Sequence, residues 1–507
     1  DGSSSNGAVY VLFMNHNGSV SSFQKISDTE GDFGGSLIDA ALFGYSVAGL
    51  GDVDGDGFGD LVVGSEDNDG DPGAGAVWIL FLGADGKVDG YQKISDTAGG
   101  FTGTIDNSDK FGSTVANIGD WDGNGVNDIA VGAEGDDDED SVAGAVWILY
   151  LNSDGTTKNY TKISDIEGNF TGTLDGGDNF GASIANIGDL DGDGTDDLAV
   201  GASGKDGILG RGDDDGGDAR GAIWLLFMSP NTSVNRHAKI SSLEGNFTGV
   251  LDDSNYFGTS VTSMGDLDGD GVQDLAVGAD GDRDGGIDSG TMWILFMASN
   301  GSVNSHQKIS NNITNGGEFS QDTSSTNFGT SVANIGDING DGMNELAVGA
   351  HNDDDGISNA GAIYILNLRS TATSPVYGDV INATFNITDN TALSTANISI
   401  NQSGQLVNYS STISGTRQEL SQNMTFNLTR GHRINITGFA VDSSGNTDQS
   451  STIFTIANTP ATNLTLTNPE SGQVFGSLPI ELNITFPADP DGDIINISYY
   501  INGPFNQ

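Results

Sequence analysis

Across residues 1 to 370, short apolar runs alternate with stretches of Gly and Asp, and the alternation recurs about every seventy residues. One unit reads Phe111-Gly-Ser-Thr-Val-Ala, an acidic loop, Asp128-Ile-Ala-Val-Gly-Ala133, a second acidic loop, Gly144-Ala-Val-Trp-Ile-Leu-Tyr150, then Tyr160-Thr-Lys-Ile-Ser164. Apolar runs of about four to eight residues, rich in Val, Ile and aromatics and bounded by Gly and Asp, predict strands rather than helices. The third run is apolar on both alternating faces. Ala76, Trp78 and Leu80 point one way, Val77, Ile79 and Phe81 the other, so it must be covered on both sides. Four-stranded sheets stacked face to face around an axis meet that demand, and they are the blades of a β-propeller. Trp78, Trp147, Trp224 and Trp293 share one repeat position, with Tyr10 and Tyr364 in the related copies, and read as core between blades.

The loop between the first two strands is the most informative stretch. Its copies supply Asp52, Asp54, Asp56 and Asp60; Asp120, Asp122, Asn124 and Asp128; Asp189, Asp191, Asp193 and Asp197; Asp266, Asp268, Asp270 and Asp274; and Asp337, Asn339, Asp341 and Glu345. Side-chain oxygens thus recur at positions one, three, five and nine of a glycine-relaxed loop. Ca²⁺ takes six to eight hard oxygen ligands, and alternate acids with a backbone carbonyl at position seven converge on one point. About five Ca²⁺ are expected.

Composition narrows the function. The 507 residues hold 71 acids and 17 bases, a net charge of −54. That excludes general nucleic-acid binding, argues against docking on anionic lipid, and makes the cation-free fold self-repelling. No cysteine is present, so neither disulfides nor thiolate metal sites are available. No apolar run is long enough to insert in a membrane, and Asp1 follows no signal peptide. Exposed multi-acid loops suit millimolar extracellular calcium, so the expected location is extracellular, at the cell surface.

Phe43-Gly44, Gly51-Asp52, Val62-Val63-Gly64-Ser65 and Gly75-Ala76-Val77 resemble the FG-GAP repeat of integrin α-chain propellers and their prokaryotic relatives, over about residues 1 to 370. The resemblance implies a propeller with one calcium loop between the first two strands of several blades, and adhesion without catalysis. It also implies carbonyl donors at Phe58, Val126, Thr195, Val272 and Met343. Animal integrin chains are disulfide-bonded, so a cysteine-free chain is closer to a microbial surface protein.

The propeller does not close on paper. Residues 7 to 14 and 22 to 27 match only the third and fourth strands of a unit, and the last unit, from Phe328, stops after its third strand at Leu368. Counting the partial unit gives six blades, or seven with upstream sequence. The open edge beside Ile363–Leu368 is expected to be closed by a strand, first of all Phe23–Ser27 of this chain, with sequence upstream of Asp1 or a segment of a neighbouring subunit as the alternatives.

Near residue 370 acids and glycines give way to Asn, Ser, Thr and Ile. Alternating runs such as Asn382-Ala-Thr-Phe-Asn-Ile-Thr388 predict an immunoglobulin-like β-sandwich over 371–458, with a second, truncated module over 459–507. The fold class is therefore all-β. Sequons crowd this half at Asn382, Asn386, Asn397, Asn401, Asn408, Asn423, Asn427, Asn435, Asn463, Asn483 and Asn496, with others at Asn159, Asn169, Asn231 and Asn246. On an alternating strand Asn and Thr share the solvent face, which either makes a polar surface or accepts N-glycans. The second acidic loops, among them Asp136–Asp140 and Asp353–Asp355, are open to further cations or to solvent.

Catalysis has little support: His237 and His306 fall on the outer-strand position held elsewhere by Phe23, Tyr91 and Tyr160, and every carboxylate pair is explained by a metal loop. The expected function is a calcium-stabilised adhesion or structural protein of a microbial surface, in a surface layer or filament, not an enzyme. Its partners would be further copies, other surface proteins and glycans. The alternative is calcium-dependent binding of a glycan or polymer through loops on one propeller face.

Overall fold

The structure, a computed structural model, describes residues 6–15, 18–37, 41–65, 73–138, 141–205, 218–230, 232–284, 289–310, 326–338, 343–353 and 361–368, and beyond residue 375 the backbone of the strands alone. Two compact units divide at Arg369 and Ser370. All regular elements among the described residues are strands.

The first unit begins with a hairpin, β1 (Val9–Met14) and β2 (Val20–Ile26). Four meanders of four antiparallel strands follow. They are β3 (Ser46–Gly51), β4 (Asp60–Ser65), β5 (Ala76–Leu82) and β6 (Val88–Ile94); β7 (Phe111–Gly119), β8 (Asp128–Ala133), β9 (Ala145–Leu151) and β10 (Thr157–Ile163); β11 (Phe180–Gly188), β12 (Asp197–Ala202), β13 (Ala222–Met228) and β14 (Val234–Ile240); and β15 (Phe257–Gly265), β16 (Asp274–Ala279), β17 (Thr291–Met297) and β18 (Val303–Ile309). A fifth sheet has three strands, β19 (Phe328–Asn334), β20 (Leu346–Ala350) and β21 (Ala362–Leu366).

These are five propeller blades, which corrects the expected count of six or seven. The hairpin is only the outer half of a further unit, since the described residues ahead of it form no first or second strand. The expected closure of the last blade by Phe23–Ser27 is also corrected. Phe23 lies opposite Leu12 within β1–β2, a hairpin closed locally by the Asn15–Ser19 turn, and β21 pairs with β20 alone among the described residues. The hairpin meets the fifth blade by packing instead: a Cβ on Gly18 would lie 3.6 Å from Ile365 Cγ2.

Neighbouring blades are stitched at one recurring point, where the residue before each third strand bridges in parallel to the start of the next first strand. The bridges are Gly7 to Phe43, Gly75 to Phe111, Gly144 to Phe180, Gly221 to Phe257 and Gly290 to Phe328. In the four complete blades the third strands are buried on both faces, as expected: Trp78 and Leu80 join one core cluster, Val77 and Ile79 the next. β21 of the fifth blade is not buried in this way. Fully burying one such Leu is worth about 1.5–3 kcal/mol. Each complete blade adds a four-ring aromatic set, such as Phe101, Phe111, Trp147 and Tyr160, with centroids 5.0–6.3 Å apart.

The second unit holds β22 (Val376–Tyr377), β23 (Asn382–Gln402), β24 (Gln405–Asn423), β25 (Arg433–Asp442), β26 (Thr447–Thr455), β27 (Ala457–Pro460), β28 (Ile480–Thr485) and β29 (Asn496–Ile501). β22 and β27 pair in parallel, and the other six strands form one sheet in which β23 pairs with β24, β25 and β28.

The second strand of each complete blade presses its glycine against the next blade. A Cβ on Gly201 would sit 2.0 Å from the Gly258 carbonyl oxygen and 2.4 Å from Ser183 Oγ. Gly201→Ala therefore forces two strands apart and should cost about 1–3 kcal/mol. Denaturant melts of the two proteins measure this, and equal midpoints would show that the blades are not held in contact there.

Candidate metal centres

Each acidic loop links a first strand to a second strand and is shaped by its own carboxylates. At position one, Asp52 accepts from the N–H groups of Gly55 and Gly57 at 2.8 and 3.0 Å, and Asp189 accepts from Asp193 and Gly194 at 2.9 and 2.8 Å. Asp120 and Asp266 repeat the arrangement. Such Asx-type bonds stabilise tight turns locally.

Position nine is different. Asp60, Asp128, Asp197 and Asp274 are buried at the start of the second strand. Asp197 accepts from Leu190 N in its own loop at 3.0 Å and from Met228 N at the end of the third strand at 2.9 Å. Asp60 is held in the same way by Val53 and Leu82, Asp128 by Trp121 and Leu151, and Asp274 by Leu267 and Met297. Burial pushes Asp128, Asp197 and Asp274 up to about 6, against the backbone bonds that lower them, and nearby loop carboxylates add to the rise. Asp60 is raised for the same leading reason.

The loops bring three carboxylates to one point. Oxygens of Asp52, Asp54 and Asp60 lie within 4.8 Å of one another, as do those of Asp120, Asp122 and Asp128, of Asp189, Asp191 and Asp197, and of Asp266, Asp268 and Asp274. Three converging carboxylates, the buried one of each set with a raised pKa, fit a hard divalent cation. The position-five acids Asp56, Asp193 and Asp270 are not in these sets; each caps the N–H two residues on, at Phe58, Thr195 and Val272. Asn124 caps Val126 and donates its amide to Leu151 O at 2.8 Å. In the fifth loop, Glu345 is buried and its Oε2 accepts from Ile338 N at 3.0 Å, the position-nine arrangement with a longer arm. Asp337 and Met343 flank it, whereas Asn339 and Asp341 lie outside the described residues.

Two of these centres carry an internal cation. Lys158 Nζ lies 2.6 Å from Asp122, and Arg236 Nη2 lies 3.0 Å from Asp191. On the second acidic loops of the second and fourth blades, outer-strand lysines meet four of the acids, and in the fifth blade Tyr364 OH donates to Asp353 at 2.5 Å. Lys162 pairs with Asp136 at 2.7 Å and with Asp138, while Lys308 pairs with Asp282 and Asp284 at 2.7 and 2.5 Å. Burial opposes the Lys162 charge, yet the two aspartates hold its pKa above the ordinary value. Behind it, burial pushes Asp109 up to about 7. Each of these lysines also lies 5.0 Å from the centroid of its blade's tryptophan, Trp147 or Trp293. Sequence reasoning gave these lysines no role, although Lys-Ile-Ser closes unit after unit and marks them.

His237 and His306 sit against Trp224 and Trp293 with centroids 5.3 Å away, bonded to Thr171 and Thr248. Burial lowers both pKa values. Of the sequons, Asn159 is exposed, while Asn169 and Asn246 donate their amides to Val234 O and Val303 O of the next blade at 2.6 and 2.8 Å. Asn231 and the side chains from Asn382 to Asn496 lie outside the described set.

The FG-GAP repeat family matches residues 43–80, 180–226, 257–295 and 328–366. Integrin alpha-6 of Gallus gallus is 36% identical over 199 residues, 39% of this chain and 16% of that protein. Integrin alpha-V of the same species is 35% identical over 177 residues, 33% and 15% of the two chains; integrin alpha-PS2 of Drosophila melanogaster is 31% identical over 187 residues, 36% and 11%. The chain thus spans under a fifth of each relative. PorZ, a surface component of the type-IX secretion system of Porphyromonas gingivalis, aligns at TM-score 0.33 and 12% identity, over 89% of this chain and 58% of that one. An exo-beta-1,3-galactanase of Phanerochaete chrysosporium aligns at 0.32 and 11%, over 83% and 96%. Neither score bears on fold or function. The first unit is therefore an FG-GAP β-propeller, in a chain whose sequence is similar to integrin α chains.

Proposed function

We propose that the propeller is a calcium-stabilised adhesion or structural module of a microbial cell surface, working outside the cell without catalysis. The observation that carries this reading is the convergence of three carboxylates in four successive loops, each with its innermost acid buried and bonded to the backbone of its own loop and of the third strand. Ca²⁺ would be held by the acids at positions one, three and nine, with position five and the position-seven carbonyls completing the shell in the bound form. The fifth loop would use Glu345. Residues 371–458 and 459–507 fit immunoglobulin-like stalk modules, their sequons glycan carriers. Self-association, or contact with other surface proteins and glycans, would supply the adhesive function.

Chelation should lower thermal stability markedly, since binding to the native state alone adds RT ln(1 + [Ca²⁺]/Kd), roughly 3 kcal/mol per site at a hundredfold excess. Mg²⁺, which prefers a tight octahedron, should restore little of it. An unchanged melting temperature in excess chelator, with metal removal verified by elemental analysis, would sink the calcium reading.

Asp191→Ala should lower the calcium stoichiometry by one and loosen its own blade more than distant ones, because near-neighbour contacts dominate repeat folds. Equal loss of hydrogen-exchange protection in all blades would count against separate centres.

The buried acids set a pH dependence of definite sign. Because the folded pKa of Asp128, Asp197 and Asp274 is raised from 3.8 to about 6, the metal-free fold holds protons that the unfolded chain releases. Stability in chelator should be greatest below about pH 4, fall as pH rises towards about 6, and then level off. Excess Ca²⁺, which binds the ionised form, should flatten or reverse that fall. Melting curves at successive pH values, with and without Ca²⁺, check the pair of trends.

A further inference from the structure

The four carboxylate sets of the first unit differ in one side chain brought in from the outer strand. In every set the position-three aspartate uses one oxygen to shape its own loop: Oδ1 of Asp54, Asp122, Asp191 and Asp268 accepts from the N–H two residues on, at 3.1, 3.1, 3.3 and 3.2 Å. The second oxygen divides the sets. Oδ2 of Asp122 takes Lys158 Nζ at 2.6 Å, and Oδ2 of Asp191 takes Arg236 Nη2 at 3.0 Å. Oδ2 of Asp54 and of Asp268 meets no donor among the described residues.

Repeat position explains the difference. Lys158 stands second in the outer strand β10, and Arg236 third in β14. At those places the first blade has Asp89 and Gly90, and the fourth Asn304 and Ser305, with no base to offer. Lys87, just ahead of β6, pairs with Asp32 instead at 2.6 Å. Arg236 is also braced from behind, its Cζ 3.2 Å from the Phe227 ring centroid and its Nη1 donating to Asn300 O at 3.3 Å. The third set keeps four acids, Asp189, Asp191, Asp193 and Asp197, as many as the first and fourth, so Arg236 is what sets it apart. The second set has Asn124 in place of a fourth acid as well as Lys158.

We propose that Lys158 and Arg236 are built-in competitors for calcium, which grade the four loops into two tight sites, at residues 52–60 and 266–274, and two weak ones, at residues 120–128 and 189–197. The inference rests on the calcium reading above and adds to it an order of filling. An exposed ion pair is weak by itself. A cation held on a ligand oxygen, however, must be moved aside or tolerated when a dication arrives, and either lowers affinity, because the charge count at the loop tunes calcium binding. As free calcium falls, the second and third loops empty first, and the side-chain cation on Asp122 or Asp191 keeps part of the charge balance there. The first and fourth loops have no such substitute. The two middle blades thus tolerate low calcium without an uncompensated cluster of acids.

The test is hydrogen exchange of peptides spanning residues 52–60, 120–128, 189–197 and 266–274 in the full chain, followed over a series of chelator-buffered free Ca²⁺ concentrations. The second and third loops should gain protection at about tenfold higher free Ca²⁺ than the first and fourth. Lys158→Gln should lower the midpoint of the second loop about threefold to tenfold and leave the other three in place. Arg236→Gln should do the same at the third loop, and Lys158→Gln, on a half-exposed side chain, remains decisive if loss of the Phe227 contact weakens the fold. Four coincident midpoints overturn the inference while leaving the calcium reading intact. So does a Lys158→Gln protein whose second loop keeps the parental midpoint, or one in which all four loops tighten together, since that marks net charge rather than local competition. Loops that gain no protection at any Ca²⁺ concentration overturn the calcium reading, and this inference with it.

Discussion

A buried carboxylate whose two oxygens are both engaged by backbone N–H groups is the constraint on which the blades depend. Asp197 and its counterparts tie the acidic loop to the end of the third strand, so strand order, loop shape and the meeting of three acids follow from one side chain. A buried charge is expensive unless it is paired. Backbone amides meet part of that cost, and the raised pKa records what they leave unmet. A hard cation beside the three acids would meet the remainder, which couples ligand binding to the fold.

The second constraint is steric and links one blade to the next. Gly64, Gly132, Gly201 and Gly278 each bring a second strand so close to the next blade that a Cβ would lie 2.0–2.1 Å from a carbonyl oxygen. Close backbone approach lets the Trp face of one sheet cover the Val and Ile face of the one before. The hairpin β1–β2 has no first or second strand of its own among the described residues, and Tyr10 is 54% exposed where Trp78 at the same repeat position is 3%.

Acidic residues of the same kind meet different environments at the two ends of a blade. Between first and second strands they converge on a point; between second and third strands Asp136, Asp138, Asp282 and Asp284 are met by lysines from the outer strand. Lys162 and Lys308 stand where a metal would otherwise be sought, and the tryptophan ring beneath each helps hold the charge in place. Composition alone makes the two loop types look alike.

Periodicity was enough to reveal strands, repeat length, two-sided third strands and the position of the acidic loops, because each is a local pattern set by the alternation of side chains along a strand. It also placed Trp78 and its counterparts between blades and His237 and His306 on outer strands. It did not decide which acids meet. Position five turns back to cap its own loop, while position nine reaches a strand more than twenty residues away, and only the folded register sets those distances. Nor did it decide the pairing of Phe23–Ser27, where the local turn at Asn15–Ser19 joins β2 to β1 at little loop-closure cost, while β21 pairs with β20 and with no other strand among the described residues. Local pattern is written residue by residue in the chain; the partner of an edge, a lysine or a buried acid depends on what the fold brings beside it.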